Sequence, residues 1–189
     1  MNYFSRSIVL FATLISFYSY GQTEVGGVAL LNTIKINENT LELNGGGIRE
    51  KYWIDLYVGG LYLSEKGSDA QKIIDANEPM AIYMEIVSTL ITSEKMIESV
   101  DEGFKKSTKG NTKPIQEKIE TFKKAFLEPI KEKDTYTISY SPPEGVSVSK
   151  NGKHIATIDG LDFKKALFGI WLCDDPADED LKEGMLGLE

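Results

Sequence analysis

The chain has 189 residues, with 21 Lys and Arg against 29 Asp and Glu, for a net charge of −8. That balance argues against a nucleic-acid partner and against anionic lipid headgroups, whose phosphates such a surface repels. A single cysteine, Cys173, excludes an intramolecular disulfide, so core burial must hold the fold together.

Residues 1–21 read as a secretory signal peptide. Arg6 supplies the positive start, Ile8 to Phe17 the short apolar run, and Ser19 and Gly21 the small residues before a cut at Gln22. An apolar run of about ten residues is short of the roughly 20 that a membrane span needs, which leaves an uncleaved anchor as the alternative. No cysteine follows the run, so a lipid anchor is not expected. Export without a lipid or cell-wall signal points to the periplasm. Losing Arg6 takes the net charge from −8 to −9. Residues 22–189 then suit a single domain, with no other segment apolar enough to insert stably in a membrane.

Val25 to Ile36 and Thr40 to Leu43 read as short strands. Gly45-Gly46-Gly47 reads as a turn that delivers Arg49. Lys51 to Leu63 is the strongest strand. Both its alternating sets, Trp53, Tyr57, Leu61 and Leu63 against Tyr52, Ile54, Leu56, Val58 and Tyr62, are apolar, which predicts a central strand covered on both faces. Gly59-Gly60 inside it predicts a bulge or a close neighbour on the backbone. Ser68 to Ala76 is a short helix capped by Ser68 or Asp69, and Pro79 to Ser88 is a strand. Thr92 opens a helix that runs to about Lys109, and Pro114 opens the next. Three strands follow, Thr135 to Ser141, Gly145 to Lys150 and His154 to Asp159, with Asn151-Gly152 as a hairpin turn. Leu161 to Leu172 is a buried helix and Ala177 to Leu186 a terminal one. Strands come in blocks and do not alternate with helices, so the fold class is α+β, with an antiparallel sheet and helices on one face.

Arg49 and Tyr57 are the candidate ligand-binding residues. An Arg fork with a nearby phenol suits a carboxylate or an enolate. Each also has a plainer reading, a surface charge for Arg49 and core filling for Tyr57. Eight residues of unbroken strand would hold them about 26 Å apart. Sharing a ligand therefore requires the chain to fold back or bulge near Glu50-Lys51-Tyr52. Asp55 reads as a rim residue or a lysine's partner more readily than as an acid or base, because a buried lone carboxylate is costly. His154, the only histidine, is expected in solvent beside its turn and cannot build a zinc site alone. The acids Asp174, Asp175, Asp178, Glu179 and Asp180 read as a helix start with Asp175 as N-cap and Pro176 first in the helix, and lack the spacing of a calcium loop. Cys173 is expected to be buried and inert. The triple glycine lacks a Walker lysine and the dinucleotide spacing, so no cofactor is called for.

The stretches Gly45 to Lys51, Leu56 to Leu63 and Ala166 to Asp180 resemble the chalcone isomerase-like family, in its bacterial exported branch. The resemblance covers most of residues 22–189. It implies an open-faced β-sandwich, in which a large antiparallel sheet carries a layer of helices. Two activities come with it. In family members that bind fatty acids, an arginine and a tyrosine grip the carboxylate, and these match Arg49 and Tyr57. The cleft walls would come from Leu56, Val58, Met84, Ile86, Met96 and Phe104. In the isomerases, which close a chalcone through an enone, the arginine corresponds to Arg49. The other polar positions fall at Tyr57, near Ser93, near Val100 and near Phe163, and are not kept. The resemblance thus implies non-catalytic binding of a fatty acid or similar amphipathic carboxylate. An intramolecular lyase using Arg49 and Tyr57 is the alternative, and an accessory protein with an envelope partner is a third reading.

Overall fold

A computed structural model describes residues 21–188. The segment read as a signal peptide lies, apart from Gly21, outside the described residues. Among these residues, nine strands and five α-helices follow in chain order: β1 Gln22–Val25, β2 Val28–Leu31, β3 Thr33–Ile36, β4 Asn39–Lys51, β5 Ile54–Leu63, α1 Ala70–Asp75, β6 Met80–Ile86, α2 Ser93–Ser107, α3 Gln116–Lys123, β7 Thr135–Ser141, β8 Gly145–Lys150, β9 Lys153–Ile158, α4 Leu161–Leu172 and α5 Glu179–Leu186, with short 3-10 turns at Lys113–Ile115 and Lys124–Phe126 on either side of α3. Strands β3 to β9 form one antiparallel sheet in sequence order, and β1–β2 is a separate hairpin. The helices lie on one side of the sheet, as the α+β reading requires.

Local chemistry explains most boundaries. Asp69 caps α1 by accepting from the Lys72 N–H, and Thr92 caps α2 by accepting from Lys95. Asn151-Gly152 turns β8 into β9 with both residues at positive φ. The terminal helix starts later than expected. Asp178, not Asp175, is its N-cap and accepts from the Leu181 N–H at 2.9 Å, whereas Asp175 pairs with Lys106 at 2.8 Å.

The triple glycine corrects the sequence reading. Gly45, Gly46 and Gly47 do not turn; they run inside β4, which pairs with β5 from Glu42 to Lys51. Gly45 and Gly47 are small because α5 lies against them, and Gly46 because Leu30 of β2 packs on its other face. A Cβ on Gly184 would sit 2.6 Å from the Gly46 carbonyl oxygen, and one on Gly47 would sit 3.1 Å from the Leu181 Cα. Gly59 serves the same contact, because a Cβ there would lie 2.6 Å from Met185 Cε. Close approach to the backbone, one of the two options for Gly59-Gly60, is the operative one.

Strand β5 is buried on both faces from Tyr57 to Leu63, as the doubly apolar pattern predicts, while Tyr52, Trp53 and Ile54, which that pattern also included, are exposed at the hairpin end. Tyr57 and Leu61 face the helices with Ile82, Met84, Ile138 and Val148. Phe104, Phe122, Phe126, Phe163 and Tyr136 fill the layer above, with ring centroids 5.0 to 6.1 Å apart. Such aromatic pairs add about 0.5–1.5 kcal/mol each beyond area burial. Val58 and Tyr62 face the other side, where the β1–β2 hairpin covers them with Val28 and Leu30. Further along that back face the pairs Thr137–Ser149 and Ser139–Ser147 replace apolar side chains.

Candidate functional site

The chain folds back between Arg49 and Tyr57 through a two-residue turn at Tyr52 and Trp53. Strands β4 and β5 then pair so that Arg49 lies directly opposite Tyr57. Lys51 pairs with Ile54, and a register shift leaves Leu56 as an extra residue on β5, a β-bulge. The two candidates are therefore cross-strand neighbours, and the separation of an unbroken strand does not arise. The Arg49 guanidinium carbon stands 5.7 Å from the Tyr57 ring centroid, within cation–π range.

Tyr57 is 2% exposed, and its phenol oxygen accepts a hydrogen bond from Trp171 Nε1 at 2.9 Å. That bond fixes the phenol and leaves its one hydrogen to donate elsewhere. Arg49 is half-buried and has no ion-pair partner among the described residues. A guanidinium and a phenol O–H are donors of the kind a carboxylate accepts from.

The pair stands at the inner end of a cleft of about 370 Å³ between the β4–β5 hairpin and α2. The hairpin contributes Lys51, Tyr52, Ile54 and Leu56; the approach to α2 contributes Leu90 and Ile91; α2 contributes Lys95, Met96, Glu98, Ser99 and Glu102. Behind it lies a chamber of about 20 Å³ lined by Met84, Val100, Phe122, Phe126, Ile138, Ile170 and Trp171. Arg49, Tyr57, Met96 and Ser99 line both spaces and form the partition between them. The inner space is of the size that holds about one water. The aromatic cluster fills the rest of the layer between sheet and helices. Two larger depressions, of about 660 and 810 Å³, touch neither Arg49 nor Tyr57.

Of the expected walls, Leu56, Met84 and Met96 line these spaces. Val58 does not, because strand alternation turns it to the back face under β1–β2. Ile86 and Phe104 are core residues that line neither space. Ser93 donates to the Phe126 carbonyl, Val100 presents only methyl groups to the inner chamber, and Phe163 lies in the aromatic cluster. Asp55 is exposed near the hairpin end, as expected of a rim residue. His154 is exposed, with ring nitrogens 3.2 Å from Ser147 Oγ and 3.4 Å from Thr157 Oγ1. Cys173 is half-buried, not buried, because α4 ends one residue before it; its Sγ donates to the Asp175 carbonyl. Among the described residues no group of three or more His, Cys, Asp or Glu side chains is placed to hold a metal. Trp171 and Ser99 were not singled out from sequence. A buried indole N–H must find an acceptor, and that was the one available signal for Trp171; Ser99 gave none.

A family model described as chalcone isomerase-like matches residues 22–187. No curated protein matches the sequence. Among solved structures, the crystal structure of a fatty-acid binding protein from Arabidopsis thaliana is similar, with a TM-score of 0.68 over 85% of this chain and 92% of that one, at 19% identity. At that identity the likeness establishes a shared fold.

Proposed function

The chain belongs to the chalcone isomerase-like family, and from that premise we propose that it is a non-catalytic binding protein for a fatty acid or similar amphipathic carboxylate. The reading rests above all on one observation: Arg49 and Tyr57 face each other across β4 and β5 at the inner end of a partly apolar cleft, with the guanidinium free of any carboxylate among the described residues. The carboxylate takes the Arg49 fork and the Tyr57 hydrogen, while Trp171 holds the phenol in place. The tail lies outward along Leu56, Ile54, Ile91 and Leu90, because the inner chamber is too small for it. A cleft of this volume falls within the ordinary range for small-molecule sites. The fatty-acid binding activity named for the Arabidopsis protein of like fold is consistent with this role. The leader-like residues 1–21 support assignment to the bacterial exported branch and work in the periplasm.

Native mass spectrometry of the purified protein, with solvent extraction of whatever is released, tests the reading. A stoichiometric fatty acid, absent from Arg49→Ala, is the expected result. Charge-assisted hydrogen bonds of this kind contribute about 1.5–3 kcal/mol each, so Arg49→Ala should weaken dodecanoate binding by at least about tenfold. Equal lipid content in wild type and Arg49→Ala would sink the clamp.

The isomerase alternative draws on the same pair. Tyr57 carries the one phenolic proton at the partition, and Ser99 is the other hydroxyl there. Turnover of a chalcone that disappears in Tyr57→Phe would establish it in place of simple binding.

A further inference from the structure

The turn that brings Arg49 and Tyr57 together is anomalous. A two-residue hairpin turn of this kind needs positive φ at both positions and is normally built from Asn and Gly. Here Tyr52 and Trp53 occupy it, with φ of 53° and 62°. Side chains of that bulk resist this conformation, and strain of this sort persists where function requires it. Burial does little for either ring: Tyr52 is 78% exposed and Trp53 is 90% exposed. Ile54 and Leu90, also exposed, flank the same cleft mouth that Tyr52 borders.

We propose that this aromatic tip docks on the headgroup–acyl boundary of a zwitterionic lipid bilayer and holds the cleft mouth against it. Size selects the occupant. Tyr and Trp side chains bury at most about 150–250 Å² each, and a protruding two-residue tip offers far less than the roughly 800 Å² per partner of a stable protein interface. Amphipathic rings that settle at a membrane–water boundary need no such area. The charges beside the tip are mixed: Lys51, with its ammonium 5.8 Å from the Tyr52 ring centroid, sits among exposed Glu50 and Asp55. With a net charge of −8 for the whole chain, that mixture fits a zwitterionic surface better than an anionic one. The purpose of the contact, entry of an amphipathic carboxylate from the bilayer, rests on the binding reading above; the contact itself does not.

Fluorescence of the full chain with phosphatidylcholine vesicles tests it. Residues 1–20 contain no tryptophan, and Trp171 is only 5% exposed, so Trp53 is the tryptophan that quenchers in water or lipid can reach. Vesicles should shift its emission to the blue, protect it several-fold from acrylamide, and expose it to quenching by brominated acyl chains. Trp53→Phe should lose all three responses, and Tyr52→Asn/Leu90→Asn should require more lipid for the same response. A Trp53 that stays open to acrylamide and unquenched by brominated lipid overturns the proposal and leaves the tip to a protein partner. Arg49→Ala separates the two readings: it should keep the Trp53 response and lose dodecanoate binding. Failure of wild type to bind dodecanoate, with the Trp53 response intact, would sink the clamp and leave the anchor standing.

Discussion

Replacing Tyr52-Trp53 with Asn-Gly should make the protein more stable. Each bulky residue in the left-handed region costs about 1–2 kcal/mol, so the pair stores about 2–4 kcal/mol at φ of 53° and 62°. Glycine removes the cost at position 53 but returns about 0.5–1 kcal/mol through the freedom it gives the unfolded chain. Asparagine tolerates the conformation at position 52 and removes part of the cost there. The contact of Lys51 with the Tyr52 ring disappears, a loss of about 0.5–1 kcal/mol at an exposed site. Almost no burial is lost, because both rings stand in water. The net is a gain of about 1 kcal/mol, or about 2–4 °C in Tm for a chain of this size. Urea unfolding followed by circular dichroism measures it. The midpoint should rise with an unchanged slope, since the surface exposed on unfolding barely changes. A midpoint that fell would mean the two rings pack in the native state, and the strain argument behind the proposed bilayer contact would fall with it.

Three further predictions concern packing, the site and charge. Gly184→Ala should destabilise by about 1–3 kcal/mol, the usual range for overpacking, because its Cβ would press on the Gly46 carbonyl, a backbone atom that cannot rotate away; an unchanged denaturation midpoint would contradict the close seating of α5 on β4. Tyr57→Phe should cost about 1–3 kcal/mol by leaving the Trp171 indole N–H without its acceptor, and Tyr57→Phe/Trp171→Phe should cost less than the sum of the single changes; strict additivity in a double-mutant cycle would deny the bond. Lys164 is fully buried and donates to the carbonyls of Ile73, Ile74 and Ala76 at the end of α1, and burial pushes its amine down to about 8. Between about pH 8 and the ordinary lysine value near 10.4, the unfolded chain binds more protons than the folded one. Stability therefore gains a rising contribution from Lys164 with pH across that window and none below it. Lys164→Met should flatten that rise in pH-dependent urea titrations, and an identical slope in both proteins would refute it.

Residue pattern alone carried much of the fold. Short runs bounded by turn residues marked β6 to β9, and the doubly apolar run from Lys51 to Leu63 marked a central strand, whose first three residues fall in β4 and the turn. Thr92, Asp69 and Asn151-Gly152 marked their boundaries through local hydrogen bonds and turn geometry, which depend on a few adjacent residues. Arg49 and Tyr57 were legible as residue types suited to a carboxylate. What the sequence left open was long-range. Glycine at positions 45 to 47 is compatible with a turn or with a strand, and α5, arriving from more than 130 residues later, decided for the strand by lying against it. The turn fell on two residues that turn statistics disfavour, so no local rule could find it. The convergence of Arg49 and Tyr57, the Trp171 hydrogen bond and the narrow inner chamber all follow from that hairpin and from which side chains the folded core brings beside it. Those are properties of packing between distant segments, and only the tertiary structure fixes them.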